Sequence, residues 1–373
     1  MKKICIIILG SGTLSLHQLY ERKAIREQGY TKNSEGEEPI DEDLPIVDPH
    51  FYLWLTSQPE RFNYKFLKQY GWLKSKYLDF LAFKYFKVSA QKASCMKPMM
   101  YDYEIAKFQK DIRGQKIVKG INIEYGWRGD RVKESKWVVS TQQPDTLPFS
   151  HLKKVYKVGD GRFGSDLKLL DQELQMQKDM GVVGVRELLF DKQEQQVPFD
   201  QKDSQWSKGF ALLDKYHLVF DAALHYNQLP RLKNLAQNHP KVKIIVNHCG
   251  FLKGGPVDKE QMIKDWKIYM KELAKYKNVY VKLSFCAVAF GYDKWKVGPS
   301  SDQIAKDYAP IILFLIETFG VDRCMFASNF PVNKVAVNYS NLYNGFKKIV
   351  KHKTLEEKLK LFHDNAIKVY NLK

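Results

Sequence analysis

Cysteine is scarce in this chain: five residues in 373 (Cys5, Cys95, Cys249, Cys286 and Cys324), and no Cys-x-x-Cys pair. A scattered, odd-numbered set of thiols argues against a disulfide framework and suits a reducing compartment. Long apolar runs are also missing. The longest N-terminal one, Ile4 to Gly10, falls far short of the roughly 20 residues that span a bilayer, and mean hydropathy is −0.43. The chain does not read as an integral membrane protein. There is no G-x-G-x-x-G or P-loop, and no helix-turn-helix, zinc-finger or RNP signature, so nucleic acid is not an expected partner.

Acidic residues are in deficit. Sixty Lys and Arg face 42 Asp and Glu, a net charge of +18. The plain reading is a lysine-rich solvated surface, since the lysines run along the whole length. The sharper one is an acidic protein partner or an anionic membrane surface. The first twenty residues hold no acid. Two lysines followed by a short apolar run suggest a minimal signal peptide, and the later Arg22, Lys23 and Arg26 suit mitochondrial targeting. A mitochondrial or cytoplasmic location is expected over secretion.

Residues 1–45 read as an N-terminal arm ending in an acidic stretch, Glu35 to Asp43. Beyond it, short apolar runs recur at Ile46–Phe51, Ile117–Tyr125, Leu152–Val158, Val182–Leu188, Leu218–Leu224, Lys243–His248, Val279–Phe285 and Cys324–Ser328. Helical patterns such as Leu167–Met180 and Ile304–Phe319 separate them, with apolar residues three and four apart. Leu355–Leu372 reads as one closing helix. Eight strands alternating with helices predict the α/β class and a (β/α)8 TIM barrel over residues 46–372. One connection is too long. Residues 55–97 after strand one are rich in aromatics, and Arg61–Lys97 holds nine Lys or Arg against one acid, Asp79. This basic-aromatic insertion, Leu55–Lys97, is expected to be helical. It either covers the barrel or docks a protein partner or anionic membrane.

Barrel enzymes carry their chemistry where strands end on the C-terminal face. The candidates there are His50 after strand one, Glu124 on strand two, Arg186 on strand four, His225 after strand five, His248 after strand six and Asn329 after strand eight. Imidazoles and carboxylates so placed hold metals or move protons. Each one alone is as readily a structural residue.

Several segments then occur in order: Asp48-Pro49-His50, Ile121-Asn122-Ile123-Glu124, Gly184-Val185-Arg186, Phe220-Asp221, Asn247-His248-Cys249-Gly250 and Met325-Phe326-Ala327-Ser328-Asn329-Phe330-Pro331-Val332. Leu361-Phe362-His363-Asp364-Asn365-Ala366 follows. Together they resemble the amidohydrolase-related family of TIM-barrel hydrolases, and most of all its lactonase-like branch. The resemblance covers roughly 46–372, apart from the insertion. It implies hydrolysis of lactone, ester or related carbonyl substrates. It also implies a His-x-His pair at strand one, where this chain has His50 and Tyr52. At strand eight the family places an aspartate, and here Asn329 stands. The strand-five histidine is expected at Tyr226 and is displaced to His225.

With those ligands altered, no cofactor is expected. Zinc is the only candidate metal, with His50 and His248 as weak ligands. The expected catalytic set is His50, Glu124, His248 and Asn329, and the expected substrate-binding set is Arg186, Tyr52, His225 and Tyr226. Two readings stay open at this point. One is a hydrolase with a degenerate metal site, either without a tight metal or with zinc on a reduced ligand set, acting on a small carbonyl compound. The other is an inactive barrel kept as an accessory subunit of a larger mitochondrial or membrane-associated assembly.

Overall fold

The computed structural model describes residues 36–55, 102–124, 131–141, 152–157, 166–189, 198–252, 259–285, 287 and 298–372. The insertion after strand one falls almost wholly outside the described residues, as do Cys5, Cys95, Cys286 and the first 35 residues of the arm.

Eight parallel strands run in sequential order: β1 (Ile46–Phe51), β2 (Ile117–Ile123), β3 (Leu152–Lys157), β4 (Gly184–Leu188), β5 (Val219–Ala223), β6 (Ile244–Val246), β7 (Val279–Leu283) and β8 (Cys324–Phe326). Helices lie between them: α1 (Ile105–Asp111), α2 (Arg131–Ser140), α3 (Leu167–Asp179), α4 (Gln205–Lys215), α5 (Leu229–Asn238), α6 (Lys259–Ala274) and α7 (Ser301–Phe319). α8 (Tyr339–Ile349) follows β8. The end of β1 meets the segment that follows β8 through a parallel bridge, Phe51 to Phe330. Tyr52 N donates to Phe330 O (2.8 Å) and Asn329 N to His50 O (2.9 Å). The fold is the α/β TIM barrel that the alternation predicts.

Local sequence sets where helices begin. Side chains of Asp166, Ser204, Ser300 and Asn338 accept from the first backbone N–H groups of α3, α4, α7 and α8. Such caps satisfy donors that a helix start leaves orphaned. Gly184 is required by packing, because a Cβ there would stand 2.7 Å from the Val219 carbonyl oxygen and 2.5 Å from its Cγ2.

Three expectations need correction. The part of the arm that is described, residues 36–44, is not free. Asn341 Oδ1 and Asn344 Oδ1 accept from the backbone N–H groups of Glu37 (2.7 Å) and Ile40 (3.1 Å). Lys347 Nζ donates to Ile40 O at 2.5 Å, and the Glu37 carboxylate accepts from Ser301 N at 2.7 Å and from the Ser301 hydroxyl. Polar residues of α8 thus hold an extended strap by its backbone, while Glu38 and Asp41 to Asp43 stay exposed. The closing helix is not continuous: a π-turn, Lys360–Asp364, separates α9 (Leu355–Leu359) from α10 (Asn365–Tyr370). The wide turn lets adjacent Leu361 and Phe362 both bury. The strand within the expected run Lys243–His248 is shorter, Ile244–Val246, and His248 follows it in a turn.

Candidate functional site

β1 delivers His50, fully buried, into the barrel. Asp48 steadies that strand end. Its Oδ1 accepts from His50 N (3.2 Å) and Ser328 N (3.1 Å), and its Oδ2 accepts from Tyr339 Oη (3.0 Å). Burial pushes the Asp48 carboxyl up, against the pull of these hydrogen bonds. The strand-eight motif is therefore largely structural. Ser328 ties β8 to β1, and Asn333 Nδ2 donates to Ser328 O and Phe285 O, both at 2.8 Å.

His50, Tyr52, Arg186 and His248 come together. His50 Nε2 lies 2.8 Å from Tyr52 Oη, and Arg186 Nη1 donates to the same phenol oxygen at 2.8 Å. Arg186 Nη1 stands 3.4 Å from His50 Nε2. The His50 and His248 rings meet edge to face, with centroids 4.5 Å apart. His248 Nδ1 pairs with Ser284 Oγ at 2.6 Å, and its Nε2 has no hydrogen-bond partner among the described residues.

His248 reaches this place through an unusual backbone. His248, Cys249, Gly250 and Phe251 all have positive φ (50°, 54°, 77° and 37°). For residues with a Cβ this costs about 1–2 kcal/mol each. The turn is held from outside the barrel, where Trp266 Nε1 donates to Cys249 O at 2.8 Å.

The other expected residues are less central. Glu124 is buried directly after β2. Asn329, at φ 57°, sends its amide toward Phe285 O at 3.4 Å and gives its backbone to barrel closure. His225 is one ring removed from His248, with Phe251 between them (6.3 Å and 4.8 Å between centroids). Tyr226 packs half-buried against the core and is not brought into the cluster by any contact among the described residues.

The most consequential residue escaped the sequence reading. Lys282 of β7 is fully buried, and its Nζ donates to Asp221 Oδ1 of β5 at 2.5 Å and reaches His50 Nδ1 at 3.2 Å. Asp221 also accepts from Asn247 Nδ2 (2.9 Å) and from Tyr370 Oη (2.8 Å) in the closing helix. A signal was present. Val279, Val281 and Leu283 alternate with Lys282, and Asp221 is a lone acid in the apolar run Val219–Ala223. Strand alternation in a barrel turns such a residue inward.

The electrostatics follow from burial. Burial lowers His50 well below its ordinary value near 6.5, and the Lys282, His248 and Arg186 charges add to this. Burial likewise lowers His248 well below that value, with Arg186 and Lys282 contributing. Both imidazoles are therefore neutral. Burial also pushes the Lys282 ammonium down, while the Asp221 carboxylate beside it works to keep the proton.

A divalent ion needs three or four convergent donors. Among the described residues no group of three or more His, Cys, Asp or Glu side chains is arranged to hold one. His50 meets Lys282 at Nδ1 and Tyr52 at Nε2, and a cation stands on each side of it. Among the described residues, this donor set does not fit zinc.

Comparison with known proteins agrees with the barrel. A family model described as Amidohydrolase matches residues 134–372. An uncharacterized protein of Sinorhizobium fredii, y4mH, is 29% identical over 338 residues, covering 88% of this chain and 99% of its own. An L-fucono-1,5-lactonase of Burkholderia ambifaria is 27% identical over 127 residues, 34% of this chain and 39% of its own. A crystal structure of an amidohydrolase from Burkholderia multivorans with bound HEPES superposes with a TM-score of 0.66 at 18% identity, covering 88% of this chain and 99% of that one. A second crystal form holding zinc gives 0.65, with the same identity and coverage. On the match of its C-terminal two-thirds, with the motifs in order along the barrel, this chain belongs to the amidohydrolase family.

Proposed function

We propose that this barrel hydrolyses a small, anionic lactone or ester without a tightly held metal ion. One observation carries the reading: Arg186 is a buried cation with no carboxylate partner among the described residues. It is 3% exposed, its Nη1 donates to the Tyr52 phenol, and its Nε has no partner among the described residues. Lys282 is paired with Asp221, and His50 and His248 are neutral. An unpaired buried guanidinium is costly unless an anion completes it. A substrate carboxylate supplies that anion in the planar geometry that guanidinium prefers.

His248 is then the base. Its Nε2 faces no protein partner among the described residues, so it takes a proton from water as the water attacks the carbonyl carbon. Tyr52 and Asn329 offer O–H and N–H donors for the oxygen that gains charge. Glu124 is the second proton carrier in this scheme, returning a proton to the leaving alkoxide. Sugar lactones suit such a site because they are reactive carbonyl compounds, and a related curated protein is named a lactonase.

The test is a panel of aldonolactones and esters, with and without a carboxylate, assayed in the presence of a chelator. Turnover of an anionic member should fall by about 10²-fold or more in His248→Ala. Arg186→Met should raise KM for the anionic members more than for the neutral ones. No turnover of any member, or activity unchanged in His248→Ala, would leave the inactive accessory-barrel reading in its place.

A further inference from the structure

The two buried histidines differ in what holds their Nδ1 atoms. His248 Nδ1 meets a hydroxyl, Ser284 Oγ at 2.6 Å, which can donate or accept. His50 Nδ1 meets Lys282 Nζ at 3.2 Å. An ammonium has donors and no lone pair, so Nδ1 of His50 must accept. Lys282 is kept charged by the Asp221 carboxylate at 2.5 Å, and Asp221 is itself fixed by Asn247 and Tyr370.

We propose that Lys282 is a positioning residue that fixes His50 in the Nε2–H tautomer, so that His50 is a hydrogen-bond donor and His248 is left as the base of this histidine pair. The division of roles rests on the hydrolase reading; the tautomer does not. A neutral imidazole carries one proton, and Lys282 leaves Nε2 as its only place. Nε2–H then donates to Tyr52 Oη at 2.8 Å, and Arg186 Nη1 donates to the same oxygen at 2.8 Å. With a proton on Nε2 the 3.4 Å approach of Arg186 Nη1 carries no hydrogen bond, and the Nη1 donor is committed to Tyr52 Oη. Both lone pairs of the phenol are taken, so the Tyr52 proton is turned away from His50 and Arg186. The chain Asp221–Lys282–His50–Tyr52 thus transmits a charge at the barrel axis into the orientation of one phenol hydroxyl. That hydroxyl occupies the second position of the family's strand-one pair.

The experiment is long-range proton–nitrogen NMR on the full chain labelled with 15N-histidine, at neutral pH and without substrate. The His50 signals are identified by their loss in His50→Gln. The expected result is a protonated Nε2 and a bare Nδ1 for His50. A second sample carries Lys282→Met with Asp221→Asn, which removes both charges together and strands neither. In it, the Nδ1–H tautomer of His50 should appear. A wild-type His50 protonated at Nδ1 would overturn the proposal, as would an unchanged tautomer in the folded double variant. If the double variant does not fold, the wild-type tautomer decides alone. None of these readouts needs turnover, so failure of the proposal is distinct from failure of the hydrolase reading. On any lactone or ester the wild type turns over, the double variant should lose about 10²-fold in kcat with KM nearly unchanged.

Discussion

Acidification should unfold this barrel through two residues, His50 and His248. Both have values held well below the ordinary 6.5, burial being the larger cause in each. The unfolded chain takes up protons on these imidazoles as the pH falls through that value, and the native state does not. Because the folded values are the lower ones, the stability they contribute is present above the ordinary value and is lost as the pH falls below it. With a reference near 6.5, going from about pH 7 to about pH 5 costs each imidazole roughly 2 kcal/mol, so the pair costs about 4 kcal/mol. That is a large share of the roughly 5–15 kcal/mol that holds a domain together. The assay is urea unfolding at both pH values for the wild type and for His50→Gln with His248→Gln. Other titrating groups, such as Asp48 and His239, are present in both proteins and cancel in the comparison. The wild type should lose about 4 kcal/mol more than the double variant. An equal loss in both would show that the imidazoles charge in the native state, and would refute the buried, neutral pair on which the base assignment to His248 depends.

Two further outcomes test the frame around the site. Tyr370→Phe removes one hydrogen bond to the buried Asp221 carboxylate, and should cost about 1.5–3 kcal/mol in unfolding free energy without altering the far-UV spectrum. A cost near zero would mean that the closing helix does not brace the ion pair. Gly184→Ala drives a methyl into the Val219 carbonyl, and should lower stability by about 1–3 kcal/mol, read as a fall in the urea midpoint at constant m-value.

The barrel was legible because its evidence is periodic. Runs such as Val219–Ala223 and Ile244–Val246 are buried along their whole length, as parallel strands covered on both faces must be. The helices announce themselves by apolar spacing, so boundaries such as those of α3 and α7 fall within a few residues of expectation. The closing helix was the exception. The π-turn at Lys360–Asp364 arises from packing against β8, which leaves no periodic trace of its own.

Part of the site was legible for the same reason and part was not. Position on or just after successive strands is a sequence property, and it placed His50, Arg186 and His248, which do meet. It also singled out Asn329 and Tyr226. The first spends its backbone on closing the barrel, and the second packs against the core. Lys282 and Asp221 lie 61 residues apart, and nothing local to either calls for the other. The amino-acid sequence by itself determined the eight-fold alternation, the family and the loss of the second histidine at strand one. Only the tertiary fold decided that a lysine and an aspartate from different strands would share one buried space beside His50. Once water is excluded there, a charge persists only with an opposite charge in contact, and that pairing is a property of the enclosed space.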